Sequence, residues 1–174
     1  MDRLWATWRM PYIDTLKEEE KQKKCGCFLC EKPKESRDEE NCLLLRGAKT
    51  FVILNMFPYN PGHLLIAPYR HVGAFSELDG EERREILEQL ALVERAMGEV
   101  FAPDGINMGV NIGRAAGAGV PGHIHFHMVP RWQGDCNFMP VLADTKVIPQ
   151  GIQDVWRRLR EVLVRIGAEE EEGS

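Results

Sequence analysis

Between Gly122 and Pro130 the chain reads Gly-His-Ile-His-Phe-His-Met-Val-Pro, and this alternation limits the fold more than any other stretch. Side chains two apart on an extended chain share a face. His123, His125 and His127 therefore line one side of a strand, while Ile124, Phe126 and Met128 line the other and can enter a core. At about 3.3 Å per residue the outer two histidines stand roughly 13 Å apart. Three imidazoles on one face can form a reaction line, with a nucleophile in the middle and helpers on either side. Two other readings compete: a histidine-rich strand that packs by chance, and a three-histidine metal site. The latter usually takes its third ligand from elsewhere, because strand positions two apart diverge.

The rest of the chain supplies elements to pair with such a strand. Cys42–Leu45 and Thr50–Leu54 read as strands joined at Arg46-Gly47-Ala48. A turn-rich stretch from Asn55 to His63 leads into a short strand, Leu64–Ala67, and Ile106–Ile112 and Ile124–Val129 are two more. Ile86, Leu90, Val93, Met97 and Val100 recur at a period near 3.6, which predicts a helix from Glu77 to about Phe101, with Ser76 and Asp79 resembling a capping box. The opposite face carries Glu81, Arg84, Glu88 and Arg95, an ordinary solvated surface. A second amphipathic helix is expected over about Ile152–Ile166, with Val155, Trp156, Leu159, Leu163 and Ile166 inward. The order is that of an α+β protein: an antiparallel sheet of about five strands, one long crossing helix and a C-terminal helix.

At 174 residues one domain is expected, large enough to bury a core without disulfides. Residues 1–24 hold Trp5, Trp8 and Tyr12 and read as a segment docked on the body or on a second subunit. The body spans 25–150 and the terminal helix 151–167. Residues 168–174 form an acidic tail expected to lack order. That tail supplies four of the negative charges behind a net −5, so the body is near neutral and lacks the basic footprint of a nucleic-acid binder. No apolar run approaches the roughly 18–20 residues a membrane span needs, and no export signal opens the sequence.

The five cysteines are Cys25, Cys27, Cys30, Cys42 and Cys136. An odd count with no export signal argues for a reducing, cytoplasmic setting rather than a disulfide framework. Cys27 and Cys30 have the C-x-x-C spacing that lets two thiolates chelate one metal ion. A pair of reduced, partly buried cysteines fits the spacing equally well. Cys42 and Cys136 read as packing residues.

The run His-Ile-His-Phe-His-Met-Val resembles the signature of the histidine triad (HIT) family of nucleotidyl hydrolases and transferases, in which histidines alternate with apolar residues. Two further segments are similar to the family. Ile53-Leu-Asn55 with Pro61-Gly-His63-Leu-Leu-Ile-Ala-Pro68 resembles its ribose-side strand and turn, and Asn111-Ile-Gly113 with the glycine-rich loop after it resembles its phosphate-side loop. Together they cover about residues 25–135. The flanks Leu4–Ile13 and Pro130–Gln150 look like the branch that contains diadenosine tetraphosphate (Ap4A) phosphorylases.

The resemblance implies roles residue by residue. His125 would be the nucleophile attacking the α-phosphorus of a nucleotide, and His127 would assist the leaving group beside His123. Ile53 and Leu54 would wall the base pocket, Asn55 would bind ribose or simply open the turn to His63, and Asn111 would lie beside the phosphate or cap the strand end. Backbone amides of Gly117, Ala118, Gly119 and Val120 would form an anion nest, and Arg114 is either a partner for outer phosphates or a solvated loop charge. Ala118 and Gly119 stand where many members carry Gln or Ser, which leaves room for an incoming phosphate. His63 would support the nucleophile strand. Zinc-bearing relatives imply a structural zinc on Cys27, Cys30, His71 and His123. No organic cofactor is implied, and the motifs do not speak to magnesium. The substrate expected is an adenine dinucleoside polyphosphate or another AMP conjugate. The alternatives are a purine nucleoside phosphoramidase and a non-catalytic nucleotide-binding regulator. By analogy a homodimer is expected, with Trp5, Trp8 and Trp132 as interface residues.

Overall fold

The computed structural model describes residues 26–135 and 151–173. Trp5, Trp8, Tyr12, Cys25 and Cys136 lie outside them. The elements in order are α1 (Phe28–Glu31), β1 (Leu43–Arg46), β2 (Thr50–Leu54), β3 (Leu64–Pro68), α2 (Gly80–Phe101), β4 (Gly105–Val110), β5 (Phe126–Arg131) and α3 (Ile152–Gly173). Single 3-10 turns lie at Lys32–Lys34, Phe75–Glu77 and Arg114–Ala116. Among the described residues the strands form one antiparallel sheet in the order β1-β2-β3-β5-β4. None of the described helices is long and apolar enough to cross a membrane.

Register assigns the two faces of this sheet. Leu43, Ile53, Leu65, His127 and Gly109 form one cross-strand row, and Leu54, Leu64, Met128 and Met108 form the next. Neighbouring rows face opposite ways. The Thr50 hydroxyl donates to Glu85 of α2 at 2.9 Å, so Thr50, Val52 and Leu54 point toward the helices. Phe51, Ile53 and Leu65 point the other way, toward the histidines.

On the helix side Ile86, Leu90, Val93 and Met97 of α2 are buried, as their spacing predicts, together with Val155, Leu159, Leu163 and Ile166 of α3. α3 closes the β1 edge, where Trp156 Nε1 donates to the Leu43 carbonyl at 2.8 Å.

Several boundaries differ from expectation for local reasons. α2 starts at Gly80 rather than Glu77. Its N-cap is Asp79, whose carboxylate accepts from Glu82 N at 2.8 Å while the Glu82 carboxylate accepts from Asp79 N at 2.9 Å. Ser76 is therefore not the cap. Glu77 instead accepts from the amides of Gly73 and Ala74. β1 begins at Leu43 because Cys42 takes a left-handed backbone, φ 60°. Cys42 is nonetheless a buried packing residue, as expected. α3 runs from Ile152 through Gly173, past the Ile166 end that its apolar stripe predicts. Glutamate is a good helix former, and Arg165 pairs with Glu169 at 3.1 Å, one turn ahead.

Candidate active site

The histidine run enters the sheet later than its alternation suggests. β5 begins at Phe126, so His123, Ile124 and His125 precede the ladder. There they are held by the β3 end and the segment after it. Ile124 N donates to the Val72 carbonyl at 2.7 Å, and His123 Nε2 donates to the Pro68 carbonyl at 2.8 Å. The alternation still holds: Ile124 and Met128 are buried in the core, and Phe126 packs edge-on against Phe75.

Hydrogen bonds determine which nitrogen of each histidine carries a proton. His125 Nδ1 lies 2.8 Å from the backbone carbonyl of His123. A carbonyl only accepts, so Nδ1 bears the hydrogen and Nε2 keeps its lone pair. His63 is read the same way. The Tyr59 amide donates to His63 Nδ1 at 3.1 Å, joined by Asn55 Nδ2 at 3.2 Å. His63 must then carry its hydrogen on Nε2, which donates to His127 Nδ1 at 2.9 Å. His127 is left with its hydrogen on Nε2, a buried atom with no hydrogen-bond partner among the described residues. A neutral imidazole with an available lone pair thus stands beside one with an unused donor, their ring centroids 4.9 Å apart. The first can attack an electrophile, and the second can stabilise charge developing on a departing atom.

Burial keeps both rings neutral. It pushes His125 below the ordinary imidazole range. His127 is pushed down to about 4, by burial first and then by His125.

His123 turns its own ring elsewhere. The donor atoms of Cys27, Cys30, His71 and His123 all lie within 4.8 Å of one another. His123 Nδ1 is 3.3 Å from Cys27 Sγ and 3.4 Å from Cys30 Sγ, and His71 Nδ1 is 3.2 Å from Cys30 Sγ. Metal–sulfur and metal–nitrogen bonds of about 2.3 and 2.0–2.1 Å at tetrahedral angles require S···N separations near ~3.6 Å. The donor set fits such an ion. The Pro68 carbonyl holds the His123 hydrogen on Nε2 and leaves Nδ1 for the metal. α1 brings the thiols together, since the amides of Cys30 and Glu31 both donate to the Cys27 carbonyl. Without a cation the Cys30 thiol is pushed up to about 11 by burial and by Cys27, and a bound cation reverses that balance. His71 Nε2 lies close over Gly122, where an added Cβ would sit 3.1 Å from it.

The remaining expected residues divide. Ile53 shares the His127 row and so faces the site, although it is fully buried. Leu54 belongs to the opposite row with Met128, so register turns it toward the helices and away from the histidines. Asn55 is half-buried and accepts from Phe57 N at 3.0 Å. Gly62, with φ +80°, precedes His63, and a Cβ there would lie 2.6 Å from the Phe101 ring. Only glycine makes that turn without displacing the ring. Val110 pairs with Phe126 as the last step of the β4–β5 ladder, and Asn111 follows it directly in sequence. In the glycine loop the Gly117 and Ala118 amides donate to the carbonyls of Arg114 and Gly113. They are therefore engaged in the loop's own turns.

Sequence reasoning passed over Tyr59, Asn60 and Asp135. Tyr59 stacks on His127 with centroids 6.2 Å apart and an interplanar angle of 16°. Asn60 Nδ2 donates to Asp135 at 2.7 Å, 75 positions along the chain. Nothing local in Pro-Tyr-Asn-Pro signals either contact.

A family model described as the HIT domain matches residues 37–134. The chain is 35% identical over 161 residues to a Mycobacterium tuberculosis protein named AP-4-A phosphorylase, covering 91% of this chain and 83% of that one. It is 33% identical to the Schizosaccharomyces pombe bis(5'-nucleosyl)-tetraphosphatase (asymmetrical) over 47% of this chain and 44% of that protein. Among solved structures, a hypothetical histidine triad nucleotide-binding protein from Sulfolobus tokodaii superposes with TM-score 0.63 at 25% identity, covering 80% of this chain and 93% of that one. A zinc-bound histidine triad family protein from Mycobacterium smegmatis shares the fold, with TM-score 0.60 at 21% identity over 91% and 96% of the two chains.

Proposed function

The chain belongs to the histidine triad family, and from that premise we propose that it is a nucleotidyltransferase or hydrolase cleaving dinucleoside polyphosphates of the Ap4A type. The observation that carries this reading is the pair of opposite nitrogens: a lone pair on His125 Nε2 beside a partnerless N–H on His127. His125 Nε2 attacks the α-phosphorus, and the bond from that phosphorus to the bridging oxygen breaks. The electron pair leaves with the polyphosphate while His127 Nε2–H donates a hydrogen bond to that oxygen. The nucleotidyl-imidazolium keeps its Nδ1–H on the His123 carbonyl, which stabilises the positive charge. An oxygen of inorganic phosphate then attacks phosphorus, and the P–N bond breaks and returns its pair to His125.

Phosphate rather than water as second nucleophile is favoured by the name of the Mycobacterium tuberculosis relative and by the small Ala118 and Gly119. The amides of Gly119 and Val120, with Asn111, receive the phosphate charge, and Asn55 and Ile53 hold the nucleoside. Cys27, Cys30, His71 and His123 hold zinc in a closed four-ligand set that joins α1 to the histidine segment. This role is structural, because no ligand position remains for substrate. Zinc-ligating Cys27 and Cys30 and a buried, reduced Cys42 suit a reducing, cytoplasmic setting. A second copy pairs along β4, an edge strand carrying the exposed Met108.

The test is incubation with Ap4A with and without phosphate, resolving the products. ADP plus ATP formed only with phosphate is the expected result. Two ADP, or AMP plus ATP, regardless of phosphate would replace phosphorolysis by hydrolysis. Release of AMP from a phosphoramidate without turnover of Ap4A would overturn the dinucleotide reading.

A further inference from the structure

The turn from Asn55 to His63 is anchored by a carboxylate remote in sequence. Asp135, with its side chain 10% exposed, accepts Arg131 Nε at 2.6 Å and Nη2 at 2.8 Å. It also accepts the Trp132 amide at 3.2 Å and Asn60 Nδ2 at 2.7 Å. Asn60 Nδ2 further donates to the Pro130 carbonyl at 2.9 Å, so both its hydrogens are used. Arg131 is itself steadied from β4 by Asn107 Oδ1 at 2.7 Å. The carboxylate and the end of β5 therefore fix the side chain at the centre of the turn.

That side chain sits between the groups that set the His63 tautomer. The Asn60 carbonyl accepts from His63 N at 3.1 Å, and the neighbouring Tyr59 amide donates to His63 Nδ1 at 3.1 Å. If the turn slackened, that amide would leave Nδ1. Only the longer contact from Asn55 Nδ2, at 3.2 Å, would then oppose a hydrogen on Nδ1, and a fraction of His63 would carry it there. With the hydrogen on Nδ1, its Nε2 would accept from His127 Nδ1, and His127 Nε2 would lose the hydrogen it directs at the leaving group.

We propose that Asp135 is a positioning residue for departure of the leaving group: through Asn60 it holds the Tyr59 amide on His63 and so keeps the His127 hydrogen on Nε2. Asp135 touches no reacting atom. The inference rests on the reading that His127 Nε2–H serves the bridging oxygen.

The test compares two esters of AMP with the same nucleotide and different leaving groups, p-nitrophenyl and phenyl. Phenolate is the more basic of the two and depends more on a donor at the departing oxygen. Single-turnover nucleotidyl transfer is measured for the wild type and for Asp135→Ala, Asn60→Ala and His127→Ala. Asn60→Ala breaks the same link while leaving the Arg131–Asp135 pair intact, and it carries the test if Asp135→Ala does not fold. The expected result is that each variant slows the phenyl ester by at least roughly tenfold more than the p-nitrophenyl ester, the lower end of what a positioned donor supplies. Nitrogen-detected NMR should also show hydrogen on His127 Nε2 in the wild type and a shift toward Nδ1 in Asn60→Ala. Equal slowing of both esters by the Asp135 and Asn60 variants, with discrimination retained in His127→Ala, would overturn the inference and leave the His127 role standing. No discrimination in His127→Ala would overturn that role and the inference with it.

Discussion

Acidification should destabilise the fold through His127 by an amount the structure sets. An ordinary histidine titrates at 6.5, and burial with His125 alongside pushes His127 down to about 4. Between those two values the unfolded chain binds a proton that the folded chain refuses, so stability is full above pH 6.5 and falls as pH drops toward 4. Taken whole, that gap corresponds to roughly 3 kcal/mol at about 1.36 kcal/mol per pH unit. The ring is only half-buried, and solvent screening reduces the effect to about 1–2 kcal/mol. At 2–4 °C per kcal/mol for a chain of this size, Tm should fall by about 2–8 °C from this group alone. The assay is urea unfolding from pH 7.5 to 4.5 of the metal-saturated wild type against His127→Gln, whose amide oxygen can still accept from His63. Both proteins keep the carboxylates, the other histidines and the metal cluster, so the difference between their curves isolates residue 127. The wild type should lose about 1–2 kcal/mol more than the variant across the range. Parallel curves would refute the argument that burial holds this imidazole neutral.

The metal cluster predicts about one equivalent of zinc in the purified protein by atomic emission, with Cys30→Ser or His71→Ala lowering both the metal content and Tm. Full metal retention in both variants would remove these residues from the ligand set. Replacing the α2 cap, Asp79→Ala, should cost about 1 kcal/mol and lower Tm by roughly 2–4 °C in thermal unfolding. An unchanged Tm would return the cap to Ser76. Leu159, fully buried between α3 and the rest of the core, should cost about 2–5 kcal/mol when truncated to alanine. A loss under 1 kcal/mol in denaturant titration would mean that α3 contributes little to the core.

The elements with strong periodicity are legible in the sequence. The α2 stripe from Ile86 to Val100 and the alternation of histidine with apolar residues from His123 to Met128 both follow from the geometry of a single segment. Boundaries were less legible, because each depends on a competing local contact. Asp79 and Glu82 outcompete Ser76 for the α2 cap, and the left-handed Cys42 delays β1. The facing of Leu54 shows a related dependence. Its neighbours mark it as strand, but only the cross-strand register with Leu64 and Met128 shows which side of the sheet it takes.

What the sequence determined by itself is what a local repeat can encode: histidines alternating with core residues, two thiols one turn apart, and helices with one apolar side. The protonation pattern came only from tertiary structure. Whether His125 offers Nε2 or Nδ1 depends on the His123 carbonyl, and the state of His127 depends on His63 and the Tyr59 amide. Joining Asp135 to Asn60, and His71 to Cys30, likewise requires the folded chain to bring distant segments within hydrogen-bonding reach. A histidine has two nitrogens and one mobile hydrogen, so its chemical role is set by neighbours that the linear chain does not specify.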